Sequence, residues 1–248
     1  MTETIETYPF DADHFEVAFN AQPSADNPRL VYHRLRKPTF EELNDREGQI
    51  KYEMVELSSH KDEIQADDET ANVRLWDKII VSVKGYRGAG DWRELTDEEK
   101  AQMRPVHKTV AIRAMYAGSC EIEGDRDYVP IEPEIWTVRQ KIGTKEDRPD
   151  YVVRHTLREP TEAERVKFRP STTSYIKGAR KMRVQIATRL KPYVELYDAL
   201  IEGVEGATVG DRPFGELNRA QFLAAIDPMW KRQVIDCLTS ALGAQLSD

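Results

Sequence analysis

Few residues in this chain have the types and spacing that chemistry needs. Gly85-Tyr86-Arg87-Gly88-Ala89-Gly90 is glycine-rich, but no Lys-Ser/Thr follows it and the residues before it are expected to form a helix and not a strand. A phosphate loop needs both, because its backbone donors and lysine act on one phosphate together. The run therefore reads as a loop that caps a helix. No Gly-x-Ser-x-Gly, His-Glu-x-x-His or EF-hand spacing occurs. The histidines are His14, His33, His60, His107 and His155. His33 and His155 each stand two residues before a Leu-Arg-x-Pro-Thr motif, and they read as half-buried packing residues. Asp77 and Asp198 each follow an aromatic residue and could act as paired acids only if brought face to face. Cys120 and Cys237 form no CxxC and have no histidine at ligand spacing, which fits packing in a reducing compartment. The expectation is no catalytic residue, no metal and no cofactor.

The elements that carry these residues occur twice. Leu35-Arg36-Lys37-Pro38-Thr39-Phe40-Glu41-Glu42 returns as Leu157-Arg158-Glu159-Pro160-Thr161-Glu162-Ala163-Glu164. Leu75-Trp76-Asp77 returns as Leu196-Tyr197-Asp198, and Pro105-Val106-His107-Lys108 as Pro228-Met229-Trp230-Lys231. The offset stays near 122 throughout, so the chain reads as a tandem duplication. Its parts are residues 1–118, a connector at 119–134, and 135–248.

Each copy begins with an alternating hairpin: Phe15-x-Val17-x-Phe19 to Leu30-Val31-Tyr32, and Trp136-x-Val138 to Tyr151-Val152-Val153. Thr39/Glu42 and Thr161/Glu164 then read as capping boxes that start helices. A long helical stretch follows. The next helix carries Leu75, Trp76, Ile79, Ile80 and Val83, or Leu196, Tyr197, Leu200, Ile201 and Val204, and Gly85 or Gly206 caps it. Thr96-x-x-Glu99 and Asn218-x-x-Gln221 open a third helix, which breaks at Pro105 or Pro228. The predicted fold is α+β, each copy a β-hairpin followed by three or four helices.

Charge separates the copies. Arg165, Lys167, Arg169, Lys177, Arg180, Lys181, Arg183, Arg189 and Lys191 fall in a window with no Asp or Glu. The corresponding stretch, Glu41 to Arg74, has eleven acids and four bases, among them Glu53, Glu56, Asp62, Glu63, Asp67, Asp68 and Glu69. Three readings stay open: a solvated helix face, a phosphate-binding arm with Phe168 and Tyr175 for stacking, or an acidic arm docking on a basic one. Ala179, Met182, Ile186 and Leu190 make an apolar stripe, as on an amphipathic helix. The protein interface is favoured, because the matching acidic surface belongs to the same chain. Between subunits such a contact would be heterologous and would build a ring or a filament.

The chain has 248 residues, is 40% hydrophobic and 32% charged, and carries a net charge of −8. This excludes a disordered chain and a generally basic nucleic-acid coat. Its longest apolar runs, Ile79–Val83 and Phe222–Ile226, fall far short of the roughly 20 residues a membrane span needs. The opening Met1–Glu6 is acidic where a signal peptide would be basic, so the expected setting is cytoplasmic.

The Leu-Arg-x-Pro-Thr-x-x-Glu signature at 35–42 and 157–164, with a helical remainder, resembles the tail-assembly chaperones and related morphogenesis proteins of long-tailed bacteriophages. The resemblance implies a non-enzymatic protein that binds other phage structural proteins or itself, in the host cytoplasm during assembly. The duplication and the length depart from the single-copy family form and extend the expectation to a virion component, in the tail or against the capsid. The alternative is a nucleic-acid-binding accessory protein using 165–191. No membrane partner is expected.

Overall fold

The computed structural model describes residues 7–21, 29–56, 62–86, 88–124, 134–143, 151–177 and 182–244. A short strand β1 (Tyr8–Pro9) precedes the hairpin β2 (His14–Asn20) and β3 (Leu30–Arg36). Then follow α1 (Phe40–Gln49), β4 (Lys51–Glu56), β5 (Asp62–Asp67), α2 (Glu69–Ile79), β6 (Ile80–Lys84), α3 (Asp97–Gln102) and α4 (Pro105–Met115). The chain continues with β7 (Gly118–Ile122), β8 (Ile135–Ile142), β9 (Tyr151–Arg158), α5 (Glu162–Lys167), β10 (Ser171–Lys177), β11 (Met182–Thr188) and α6 (Leu190–Leu200). It ends with β12 (Ile201–Glu205), β13 (Ala207–Val209), β14 (Arg212–Pro213), α7 (Arg219–Ala225) and α8 (Pro228–Ala244). The fold is mixed α+β. No helix among the described residues is long and apolar enough to cross a membrane.

Two compact units divide the chain, and they cut across the expected boundaries. The first comprises 13–115 together with 170–189; the second comprises 1–12, 116–169 and 190–248. Residues 118–122 of the expected connector form β7, and 125–133 lie outside the described residues.

In the first unit, an antiparallel sheet of order β2-β3-β6 pairs Val17 with His33. Alternate residues of β3 turn inward, so Val31, His33 and Leu35 are buried. They pack with Leu75, Trp76 and Ile79 of α2 and Ala111 and Ile112 of α4 in one core. The hairpin β10–β11 also belongs here, and β11 lies against β4 and α1.

In the second unit the sheet order is β12-β9-β8-β7, all antiparallel. Trp136, Val138, Val153 and Leu157 point inward and share a core with Leu196 and Tyr197 of α6 and Trp230 and Val234 of α8. A small sheet, β1-β13-β14, completes this unit.

Three expectations need correction. The stretches after α1 and α5 are not long helices but the hairpins β4–β5 and β10–β11. The supposed amphipathic helix over 179–190 is strand β11 for most of its length. Met182, Val184, Ile186 and Thr188 also alternate, and their β-branched members favour the pleated form. Second, α2 and α6 stop at Ile79 and Leu200, and Ile80–Lys84 and Ile201–Glu205 continue as strands. The run Ile79-Ile80-Val81-x-Val83 is stiff at χ1 and pairs with β3. Gly85 and Gly206 consequently end strands, not helices. Both have left-handed backbones, at φ 88° and 79°. A Cβ there would collide with the carbonyl oxygens of Leu30 and Val152. Third, Asn218 caps α7 through the amide of Ala220 and not through a box with Gln221.

The boxes at Thr39/Glu42, Thr96/Glu99 and Thr161/Glu164 form as expected. Each is held by an arginine three residues before its threonine. Arg36 grips Glu42 at 2.8 and 2.6 Å, Arg93 grips Glu99 at 3.0 and 2.6 Å, and Arg158 grips Glu164 at 2.9 and 2.7 Å. These forked bonds hold all three carboxyls down near a pKa of about 2. Arg36 and Arg158 reach further, donating to the carbonyls of Lys78 and Ala199 at the ends of α2 and α6. One side chain thus ties a helix start to a helix end.

Candidate functional site

The charged arms stand on hairpins and helix ends. Glu53 and Glu56 lie on β4, and Asp62, Glu63 and Asp67 on β5; Asp68 and Glu69 begin α2. Arg165 and Lys167 lie on α5, Lys177 on β10, Arg183 on β11 and Lys191 on α6. Arg169 and Arg189 flank β10–β11, and Arg180 and Lys181 lie outside the described residues. The backbone of β11, which carries Arg183, runs beside that of β4, which carries Lys51, Glu53 and Glu56, within the first unit. Asp68 is committed inside that unit, accepting from Arg113 at 2.5 Å with Arg46 at 3.9 Å. Arg165 pairs with Glu159 at 3.5 Å and Lys191 with Glu195 at 3.8 Å. Lys167, Arg169 and Arg189 are exposed.

Beside Lys167, a groove of about 180 Å³ opens between α5 and α6 in the second unit. Phe168, Pro192, Leu196 and Ala199 line it, with Glu164 and Glu195 at the edge. Phe168 is set edge-on to Tyr193 at 5.2 Å. The floor is apolar, and the rim carries two carboxylates and one ammonium.

The histidines are more deeply engaged than the sequence suggests. His33 and His155 are fully buried, not half-buried. Trp76 Nε1 donates to His33 Nδ1 at 2.9 Å. Indole can only donate, so the His33 proton is on Nε2, which donates to the Tyr86 hydroxyl at 2.8 Å. Tyr86 in turn donates to His107 Nδ1 at 3.2 Å. In the second unit, His155 Nε2 donates to Gln140 Oε1 at 3.1 Å, which leaves its Nδ1 to accept from Tyr197 at 2.8 Å. Gln140 continues the chain to Gln233, and Gln233 to the carbonyl of Tyr116. Both imidazoles hold the same tautomer, and burial drives both down to a pKa of about 3. They are neutral at any physiological pH.

Asp77 and Asp198 lie in different units. Each meets a lysine of its own unit: Lys108 Nζ at 2.5 Å from Asp77, and Lys231 Nζ at 2.6 Å from Asp198. Both lysine side chains are buried, and both ammonium groups lie over an aromatic ring, Trp76 at 4.9 Å and Tyr197 at 5.6 Å. Burial lowers the Lys231 pKa, and Asp198 opposes that. The sequence carried a signal for these lysines, since Pro-x-x-Lys recurs at 105–108 and 228–231. Nothing in it marked Gln140 or Gln233.

Cys120 and Cys237 line a second groove of about 460 Å³ with Gln233, Asp236 and Ser240. Burial pushes the Cys120 thiol up to about 12 and raises Cys237 as well. Both stay protonated, which disfavours nucleophilic chemistry. In the glycine-rich stretch Tyr86 bridges to Ala89, and its hydroxyl meets His33 and His107. Among the described residues no group of three or more His, Cys, Asp or Glu is placed to hold a metal ion. Comparison with protein families, with curated proteins and with solved structures finds no match for this chain.

Proposed function

We propose that this chain is a tandem duplication of one α+β unit and serves as a non-enzymatic morphogenesis or structural protein of a long-tailed bacteriophage. It acts through protein–protein interfaces, in tail assembly in the host cytoplasm or as a tail- or capsid-associated component of the virion. Its partners are other phage structural proteins or further copies of itself.

The observation that carries this reading is that β11, which holds Arg183 of the basic stretch, runs beside β4, which holds Glu53 and Glu56 of the acidic one. Electrostatic complementarity of this kind directs association more than it strengthens it. The interior supports the duplication: a tyrosine stands where a tryptophan does, yet both donate to the same histidine nitrogen. The Asp–Lys pairs and the Arg–Thr–Glu clamps recur at the same spacing. The perturbed groups also suit a binding protein. Histidines near 3, a thiol near 12 and carboxyls near 2 are poorly matched to proton transfer at neutral pH.

Inactivating the gene in the phage or prophage that encodes it, followed by electron microscopy of the lysate, tests the proposal. Tailless or malformed particles are expected. Normal numbers of infectious particles would overturn it.

A further inference from the structure

Gln140 and Gln233 fix where two thiols lie in the second unit. Cys120 stands directly opposite Gln140 where β7 pairs with β8. Residues opposite each other in an antiparallel pair share a face of the sheet. That face is the one α8 covers, because Gln140 is buried and donates to Gln233 Oε1 of α8 at 3.1 Å. Gln233 also donates to the Tyr116 carbonyl at 3.1 Å, so α8 is tied to the chain just before β7 as well as to β8. Cys237 follows Gln233 by four residues, one helical turn onward on the same side of α8. The two elements pack together, and Cys120 and Cys237 line one groove with Ser119, Gln233 and Ser240. The Cys237 sulfur is also among the groups that hold the Cys120 thiol high. These two residues are all the cysteine the chain has.

We infer that Cys120 and Cys237 form a dithiol that closes into a disulfide on meeting a small disulfide oxidant, such as oxidised glutathione, and pins α8 to β7. Such a pair is open where the surroundings reduce and closed where they oxidise. The step balances as two thiol–disulfide exchanges. One cysteine thiolate attacks a sulfur of the oxidant, breaking its S–S bond and expelling one glutathione. The second cysteine thiolate attacks the mixed disulfide and expels the other glutathione. Two electrons pass from the cysteines to the oxidant, and the two cysteine protons end on the departing thiols. Burial keeps both cysteines protonated, so closing is slow at pH 7 and accelerates as the pH rises. The cross-link joins residues far apart in the chain, which restricts the unfolded state and raises the urea midpoint.

This inference stands on the second unit alone and not on the phage reading. It is decided by thiol chemistry in solution, whereas that reading is tested by particle formation.

The full chain is treated with oxidised glutathione, quenched with an alkylating agent, and read by intact mass and peptide mapping. The expected product is a monomer lighter by two hydrogens, with both free thiols lost and one peptide pair joined through Cys120 and Cys237. A thiol reductant should reverse it. Burial can keep an oxidant out of the folded chain, so the unfolded protein is also refolded in a glutathione buffer poised to oxidise. There Cys120→Ser and Cys237→Ser should each stop at one glutathione adduct on the remaining cysteine, with the circular dichroism of the parent. Free thiols or glutathione adducts on the parent in both formats overturn the proposal and leave two packing residues. So does a disulfide that joins two chains, because the pair would not then meet within one molecule.

Discussion

Trp76 holds His33 in a single tautomer, donating its indole N–H to Nδ1 at 2.9 Å. With Tyr86 on the other nitrogen, the ring can take up a proton only by breaking one of its two bonds. Burial is the largest cause of its pKa near 3, and repulsion from His107 adds to it. The sign for stability follows. The folded state binds fewer protons than the unfolded one wherever the pH lies between about 3 and the unfolded histidine value of about 6.5. Stability is therefore complete above about pH 6.5 and declines as the pH falls toward 3. Urea unfolding at pH 7 and pH 4.5 should differ by about 2–3 kcal/mol for each of His33 and His155. Replacing His33 with Phe should remove its share of that slope, whatever it does to stability at neutral pH.

The second unit offers a cleaner deletion. Tyr197→Phe removes one hydroxyl and little volume, leaving His155 Nδ1 buried with no donor. A buried acceptor stripped of its partner costs about 1–3 kcal/mol. The loss should appear as a lower urea midpoint with an unchanged slope. His155 should then exchange its tautomer, which ¹⁵N chemical shifts of the ring would report. A retained tautomer would assign the control to Gln140 alone.

The Lys108–Asp77 pair should respond asymmetrically. Lys108 is buried while Asp77 is partly exposed, so removing the carboxylate strands a buried cation. Asp77→Ala should cost about 2–4 kcal/mol, and Lys108→Met less, because a methionine fills the same channel over Trp76 without a charge. The double variant should recover most of the Asp77→Ala loss. Equal costs for both single variants would mean that the pair is solvated in solution.

Which of these features the sequence could announce depends on how far apart the partners lie. The capping boxes were legible because Thr39 and Glu42, or Thr161 and Glu164, are only three residues apart. The first hairpin of each half was legible because burial alternates strictly along β3, β8 and β9. The second hairpins were not, since the apolar residues from Met182 to Leu190 fit both a helical stripe and an alternating strand. The relays were hidden for another reason. His33 and Trp76 are 43 residues apart, and Lys108 and Asp77 are 31 apart, so only the fold brings them together. The repeat matched these residues across the two halves without saying what each one touched.

The arginine clamp makes a prediction in a lower pH window. Its carboxyls lie near 2 because the guanidinium hydrogen bonds favour the charged form. The folded pKa is depressed, so the contribution is present above the ordinary glutamate range and is lost as the pH falls from about 4.5 toward 2. Partial exposure of the clamp keeps the contribution modest. Glu164→Ala loses half of the capping box and the anchor of Arg158, and should cost about 1 kcal/mol at pH 7. At pH 2 the same variant should match the parent. Arg158→Lys should fail to rescue, because an ammonium cannot reach Glu164 and the carbonyl of Ala199 together.

The last prediction separates a protein surface from a nucleic-acid surface on the basic segment. The backbone of β11 runs beside that of β4, and an attraction between the basic and acidic stretches would be screened by salt over a Debye length of about 10 Å at 0.1 M. Raising the salt should speed amide hydrogen exchange in β10 and β11 while leaving β8 and β9, the centre of the other sheet, unchanged. Neutralising Arg180, Lys181 and Arg183 to Gln should reproduce the high-salt pattern at low salt. The same triple variant decides the alternative. If the segment served nucleic acid, the parent would retain single-stranded DNA on a filter, with affinity falling steeply as salt rises, and the variant would lose that slope. We expect weak retention by both proteins, because β11 runs beside β4, which carries Glu53 and Glu56.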